Sequence, residues 1–222
     1  MKVIAVATQK GGVGKTTTAA HIAVEAERDG VRVLIVDLDE QGTATKWYQR
    51  REAEAPQLVQ VKTVELQAAL DAAKAGGFGL VILDTAGKAD PGTAAAMRTA
   101  DLTLLPCSPS PLDVEAQIET VQTLTRLGKP FAFLISKAPP RRGVTKLSAR
   151  ALDATRGLSM LGTVVQSVIV NRAVYQDSMG AGMTATEYEP NGPAADETRR
   201  AWEQIRKIAG ISAFVQAAFV QA

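Results

Sequence analysis

The sequence predicts an α/β domain with a mostly parallel central sheet flanked by helices on both faces. Three observations carry that prediction. Short runs rich in Val, Ile and Leu lack the alternation of a half-exposed strand, as expected where both faces are covered. They are interleaved with segments of helical period, the pattern of successive strand–helix units. The first run leads directly into a glycine-rich stretch that opens a helix.

Taken in chain order, strands are expected at 2–8, 31–37, 79–84, 101–106, 130–136 and 163–170, with a further one near 58–61. Helices are expected at 16–29, 63–75, 111–127, 144–157 and 194–208. Gly30 follows the first helix at a place suited to a left-handed C-cap. Ser110 and Pro111 open the third, with a hydroxyl to cap it and a proline in its first turn. Connections are short except at 180–193.

At 222 residues and 46% hydrophobic, the chain can bury one sizeable core but not two generous ones. A single domain over 1–209 is therefore expected, followed by a tail at 210–222 in which AFVQA is duplicated. Two copies of five residues do not make a repeat architecture. The tail reads as a terminal extension, or as an apolar segment for a membrane or a second subunit. A membrane-surface helix wants a basic face, and only Arg206 and Lys207 lie nearby. One cysteine, Cys107, excludes an internal disulfide and a multi-cysteine metal centre, and a buried thiol is expected there. No apolar run approaches the ~20 residues that span a bilayer. No signal-peptide pattern opens the chain, so a cytoplasmic location is expected. A net charge of +2 does not by itself demand a polyanionic partner.

The glycine-rich stretch, 9-QKGGVGKTTT-18, departs from the phosphate-loop pattern G-x-x-x-x-G-K-[ST] by placing Gln9 where that pattern has glycine, and it adds a second lysine. Gly11, Gly12, Val13 and Gly14 can turn their backbone N–H groups toward one anion, and the helix N-terminus adds positive potential there. Lys15 would reach the β- and γ-phosphates, the Thr16 hydroxyl would ligate Mg²⁺, and Thr17 would bond phosphate oxygens. A triphosphate site also needs carboxylates at neighbouring strand ends. Asp84 closes the strand at 79–84 and fits the metal-holding role. The loop 37-DLDEQG-42 offers Asp37 next to the sheet and Asp39 farther out. ATP or ADP with Mg²⁺ is the ligand this set implies.

These motifs, with 33-VLIVDLDEQGTAT-45, 80-LVILDTAG-87, 105-LPCSPSPLD-113, 170-VNRAVYQDS-178 and 188-YEPNGPAA-195, resemble the ParA/MinD family of deviant Walker A ATPases over nearly the whole chain. The resemblance is closest to the short ParA-type partition proteins that lack an N-terminal helix-turn-helix domain, for which Met1 leaves no room. It implies a single-domain P-loop NTPase that dimerises with ATP, binds double-stranded DNA without sequence preference, associates with the nucleoid and positions plasmid or other cargo under a cargo-bound ParB-like activator. It implies no stable membrane association. Lys10 matches the family's signature lysine, which contacts phosphate held by the opposite subunit, so Lys10, Lys15 and Asp39 form the catalytic set. Asp39 matches the residue that orients water, while Thr16, Asp37 and Asp84 serve the metal region.

The chain departs from the family where Ala86 and Gly87 replace a Pro-Pro pair, and at His21, where relatives often have Asn. His21 reads as packing. The proline-rich turn at 106–113 lies near the dimer face in similar proteins. The base is expected between 135–137 and 171–175, with Asn171 as a contact. Arg141, Arg142, Lys146 and Arg150 form a basic stretch, and Arg172, Arg199 and Arg200 a second set, both candidates for the DNA backbone. Two other readings stay open: a MinD-like membrane switch, and a metabolic ATP-dependent enzyme on the same fold.

Overall fold

A computed structural model describes residues 1–87, 90–140 and 148–212. Seven strands form one sheet in the order β3-β2-β4-β1-β5-β6-β7, and every pairing is parallel. The strands are β1 (Lys2–Val6), β2 (Val33–Asp37), β3 (Gln57–Gln60), β4 (Leu80–Asp84), β5 (Leu102–Cys107), β6 (Phe131–Ile135) and β7 (Thr163–Val164). Their burial explains the unbroken apolar runs: β2, β4 and β5 are buried at every position.

Alternate side chains enter two different cores. Ile4, Val6, Ile35, Ile82 and Leu104 pack under α1 (Lys15–Arg28) and α10 (Pro193–Ile208). Val3, Ala5, Leu34, Val36, Val81 and Leu83 meet α3 (Leu66–Ala75) and α4 (Pro91–Thr99) on the other face. Farther along that second face, Leu105, Cys107, Phe133 and Ile135 meet α6 (Gln117–Arg126) and α7 (Ala149–Ser159). The remaining helices are α2 (Thr43–Gln49), α5 (Pro111–Glu115), α8 (Ala173–Gly180) and α9 (Ala185–Tyr188).

Several expected elements are revised. The helix at 111–127 is two, α5 and α6, meeting at Ala116. The strand at 163–170 shrinks to Thr163–Val164 plus an isolated pairing of Val170 with Ala138, because the sheet ends there. The helix at 63–75 begins as a 3-10 turn, Thr63–Glu65. The helix at 144–157 is observed from Ala149 and capped by Ser148, whose hydroxyl accepts from Ala151 N; 144–147 lie outside the described residues. Helices α2, α4, α8 and α9 were not expected. Two of them carried legible signals: Asp90 caps α4 ahead of Pro91, and Thr184 with Glu187 forms a capping box for α9 inside the supposed loop at 180–193. The tail from 213 onward lies outside the described residues.

Register sets the site. Val6 pairs with Asp84, and Asp84 in turn with Asp37, so the loop after β1 and two carboxylates emerge side by side at the carboxyl edge of the sheet. An open parallel sheet binds its ligands at that edge.

Candidate nucleotide site

Residues 7–14 connect β1 to α1. Gly12 (φ 76°) and Gly14 (φ 90°) hold left-handed conformations that a side chain would strain, which is why this turn is written in glycine. Val13 is buried, and its carbonyl accepts a 2.8 Å hydrogen bond from the Ser136 hydroxyl at the end of β6, so Val13 anchors the loop from beneath. Gly11 and Gly12 are exposed at the rim.

Lys15 opens α1 and is 7% exposed; its ammonium donates to the Lys10 carbonyl at 3.1 Å. Burial holds its pKa below the usual lysine value, with Asp84 and Asp39 opposing the drop. A cation stripped of water and facing two carboxylates is primed for a phosphate.

Asp84 is fully buried, and neither carboxylate oxygen has a hydrogen-bond partner among the described residues. Burial pushes its pKa up to about 7. The Thr16 hydroxyl opposes that rise without reaching normal hydrogen-bond geometry, and Asp37 adds to it. Such a carboxylate, unpaired beside a phosphate loop, suits a divalent cation. No three His, Cys, Asp or Glu side chains among the described residues converge as a metal cage, so phosphate oxygens and the Thr16 hydroxyl would have to complete the shell.

Asp37 differs. Its oxygens accept from Asp39 N (3.0 Å), Thr45 N (3.0 Å) and the Thr45 hydroxyl (2.8 Å), which fold the loop into α2. Both its oxygens are therefore committed to the loop and to Thr45. Asp39 is half-buried: one oxygen accepts from Gln41 N at 3.0 Å, and the other makes no hydrogen bond among the described residues.

Lys15, Thr16 and Asp39 line one cleft of ≈ 1450 Å³, bounded by the phosphate loop, the 62–65 turn, Gly87 and the 169–179 segment, whereas Asp37 and Asp84 are fully buried and outside its lining. Asn171 and Lys137, from the two segments expected to flank the base, line the same cleft with Tyr175, Gln176 and Met179. Lys137 holds a φ of 51° there, rare for a residue with a side chain. Gly87 lies against the loop: a Cβ on it would come within 2.7 Å of Gly11 Cα and 3.0 Å of the Lys15 ammonium.

Lys10 is not part of this lining. Its side chain is 43% exposed and pairs with Asp113 of α5, in a separate hollow with Gln9, Glu115 and Glu119. The expected Ser110 cap is present, accepting from Asp113 N at 3.2 Å. Cys107 is buried as expected, and burial raises its pKa to about 11.

Arg172 is ion-paired. Its guanidinium donates twice to Glu197 (3.1 and 2.7 Å) at the cleft wall, and Glu197 also accepts from Val170 N and the Tyr175 hydroxyl. Arg199 is likewise engaged, by Asp196 at 2.6 Å and the Pro190 carbonyl. Arg150 and Arg200 are exposed and without an ion pair among the described residues, while Arg141, Arg142 and Lys146 lie outside them.

His21 packs, as its position suggested. It is 3% exposed, bonds the Thr17 carbonyl through Nδ1 (2.7 Å) and accepts from Ala185 N through Nε2 (2.9 Å), tying α1 to α9. Sequence reasoning missed the roles of Asp113, Ser136 and Glu197; each acts through a contact distant along the chain that leaves no local pattern.

Residues 4–179 match the family described as the CobQ/CobB/MinD/ParA nucleotide binding domain. The chain is 32% identical over 211 residues to the maintenance of carboxysome distribution protein A of Gloeobacter kilaueensis, covering 91% of this chain and 96% of the relative. It is 30% identical over 235 residues to the chromosome-partitioning ATPase Soj of Thermus thermophilus, covering 91% and 94%. Among solved structures it is similar to the septum site-determining protein MinD of Pyrococcus horikoshii complexed with Mg-ADP, with a TM-score of 0.75 at 18% identity over 96% of this chain and 99% of that one, a likeness of fold. The chain therefore belongs to the ParA/MinD family of P-loop nucleotide-binding ATPases.

Proposed function

We propose that the chain hydrolyses ATP within a dimer of two copies, rests on DNA without reading its sequence, and positions an intracellular cargo whose bound activator stimulates turnover. The observation that carries this reading is the separation of the two loop lysines. Lys15 is buried and lines the chain's own cleft, whereas Lys10, five residues earlier, is half-exposed and lies outside it. That a lysine of this loop lies outside its own phosphate cleft supports a role toward the phosphates of a second copy. Cations supplied in trans to a transferring phosphoryl group are worth ~10³–10⁵ in rate, enough to make hydrolysis conditional on pairing.

Within one subunit the loop and Lys15 bind the phosphates. Thr16 and Asp84 would hold Mg²⁺, which neutralises charge on the phosphates when bound. Asp37 keeps the loop after β2 in shape, and Asp39, with one oxygen open, would orient the attacking water. Positioning of cargo is favoured by the relatives, one named for carboxysome distribution and one for chromosome partitioning. Among the described residues no helix is long and apolar enough to cross a membrane. Exposed Arg150 and Arg200 remain with 141, 142 and 146 as candidates for the phosphate backbone.

Sedimentation with Mg²⁺-ATP against Mg²⁺-ADP tests pairing, and gel shifts on unrelated duplexes over a salt series test DNA binding. ATP-dependent dimers that bind DNA with a steep salt dependence are expected. A chain that stays monomeric in ATP and hydrolyses it at an unchanged specific rate on dilution overturns the reading. Binding to anionic liposomes in place of DNA would point to a membrane switch.

A further inference from the structure

The partner of Lys10 within its own chain is unusual for a surface lysine. Asp113 is only 8% exposed on its side chain, against 43% for Lys10. Its second oxygen accepts the Ser108 hydroxyl, and its own N–H is capped by Ser110, so the carboxylate is fixed before the lysine arrives. The backbone of Lys10 is tied to the same region: Lys10 N donates to the Thr8 hydroxyl at 3.4 Å, and that hydroxyl accepts from Gln117 at 3.4 Å. Gln117 also donates to the Asp113 carbonyl at 3.4 Å. The Lys10 side chain is thus held by α5, and its backbone is linked to α6 only through Thr8 and Gln117. The flanking side chains Leu112 and Ile118 are 72% and 45% exposed, so the pair lies on a face with apolar surface left uncovered.

We propose that Asp113 is a positioning residue for Lys10: it holds the lysine in cis while the chain is alone, and the lysine must leave it to reach the nucleotide of a second copy. This rests on the trans role given to Lys10 above. Pairing then requires two such contacts to open, one per subunit, and each opening leaves a largely buried carboxylate without its cation, a state disfavoured in a low-dielectric setting. The contact therefore sets the protein concentration at which ATP produces dimers, and keeps a lone nucleotide-bound chain from presenting Lys10.

The test uses the full chain and Asp113→Asn, which removes the charge and keeps the shape. The dimer dissociation constant is measured by sedimentation velocity in Mg²⁺-ATPγS. A partly exposed ion pair shifts an equilibrium by roughly 1.5- to 5-fold. Two open per dimer, so the constant is expected to fall by the square, roughly 2- to 30-fold. A second readout needs no dimer: the rate at which an amine-acylating reagent labels Lys10 in the nucleotide-free chain, followed by mass spectrometry against exposed Lys74. That rate is expected to rise in Asp113→Asn, and Asp113→Glu is expected to restore both readouts toward wild type. An unchanged dimer constant overturns the proposal, as does an intact Asp113→Asn dimer that hydrolyses slowly, because Asp113 would then serve the assembled site. Unchanged labelling of Lys10 removes the cis contact itself. A wild-type chain that stays monomeric in ATPγS while Lys10 labelling rises in the variant refutes the trans role, and with it the proposed consequence, but leaves the contact standing.

Discussion

Replacing Asp84 with Asn should stabilise the nucleotide-free chain at neutral pH, although it removes a residue the site needs. The carboxyl is fully buried without a hydrogen-bond partner, and its folded pKa is about 7 against 3.8 for the free side chain. A raised carboxyl pKa means the folded chain holds this proton longer than the unfolded chain does. Its stability contribution is therefore lost as pH rises from about 4 to about 7 and is constant above. At ~1.4 kcal/mol per pH unit the whole interval amounts to about 4 kcal/mol as a ceiling, of which about 2.5 kcal/mol falls between pH 5 and 7.5. The Asn side chain is neutral throughout and escapes the loss. At about 2–4 °C per kcal/mol for a chain of this size, the melting temperature of Asp84→Asn relative to wild type should rise by roughly 5–10 °C between pH 5 and pH 7.5. The measurement is thermal denaturation of both proteins at the two pH values without nucleotide, then with Mg²⁺-ADP, which should stabilise wild type more than the variant. A difference that is flat or falls between pH 5 and 7.5 would show that the carboxylate already has a partner, and the argument for a cation site at Asp84 would fail.

His21 should act with the opposite sign. Burial lowers its pKa to about 4 from 6.5, so the neutral ring's contribution is full above about 6.5 and is lost as pH falls toward 4, with a ceiling of about 3 kcal/mol. In wild type the two trends offset one another. Urea midpoints of His21→Asn should fall less on acidification than those of wild type, and an equal fall would mean the ring is not buried neutral. Lys15→Ala should weaken ADP binding roughly 10- to 100-fold through loss of a charged hydrogen bond, whereas Lys10→Ala should leave it within about threefold, because that side chain lies outside the cleft, yet lose ATP-linked pairing or turnover; calorimetric titration separates them. Asp39→Ala should retain ATP and accumulate the dimer with hydrolysis slowed, and rapid hydrolysis would remove the water-orienting role. Gly87→Ala should cost about 1–3 kcal/mol in a melting experiment, because its Cβ would stand 2.7 Å from Gly11 Cα; a neutral result would mean the loop is free to withdraw.

The long parallel strands and the phosphate loop were legible because their causes are local. A strand covered on both faces must be apolar at successive positions, as 79-GLVILD-84 is, and a turn with two left-handed residues must place glycine at Gly12 and Gly14. Helix α1 followed from the loop that feeds it. Short elements were not legible by period: α2 has too few turns to show one, and α4 is an Ala/Thr/Gly segment whose signal is its Asp90 cap. The seventh strand was overread because 163–170 is apolar for another reason, the packing of Val165 and Val168 into the cores beside the sheet edge.

The sequence by itself determined the main strands, the phosphate loop and the carboxylates at the ends of two strands, since each depends on residues within a few positions of one another. Tertiary structure alone decided which carboxylate is left without a hydrogen-bond partner. Asp37 and Asp84 end adjacent strands in the same register, but Thr45 reaches back to satisfy the first and nothing among the described residues reaches the second. It also decided where the second lysine rests. An ion pair between a loop after the first strand and a helix after the fifth arises only when the sheet brings β1 and β5 side by side, and no spacing along the chain encodes that neighbour.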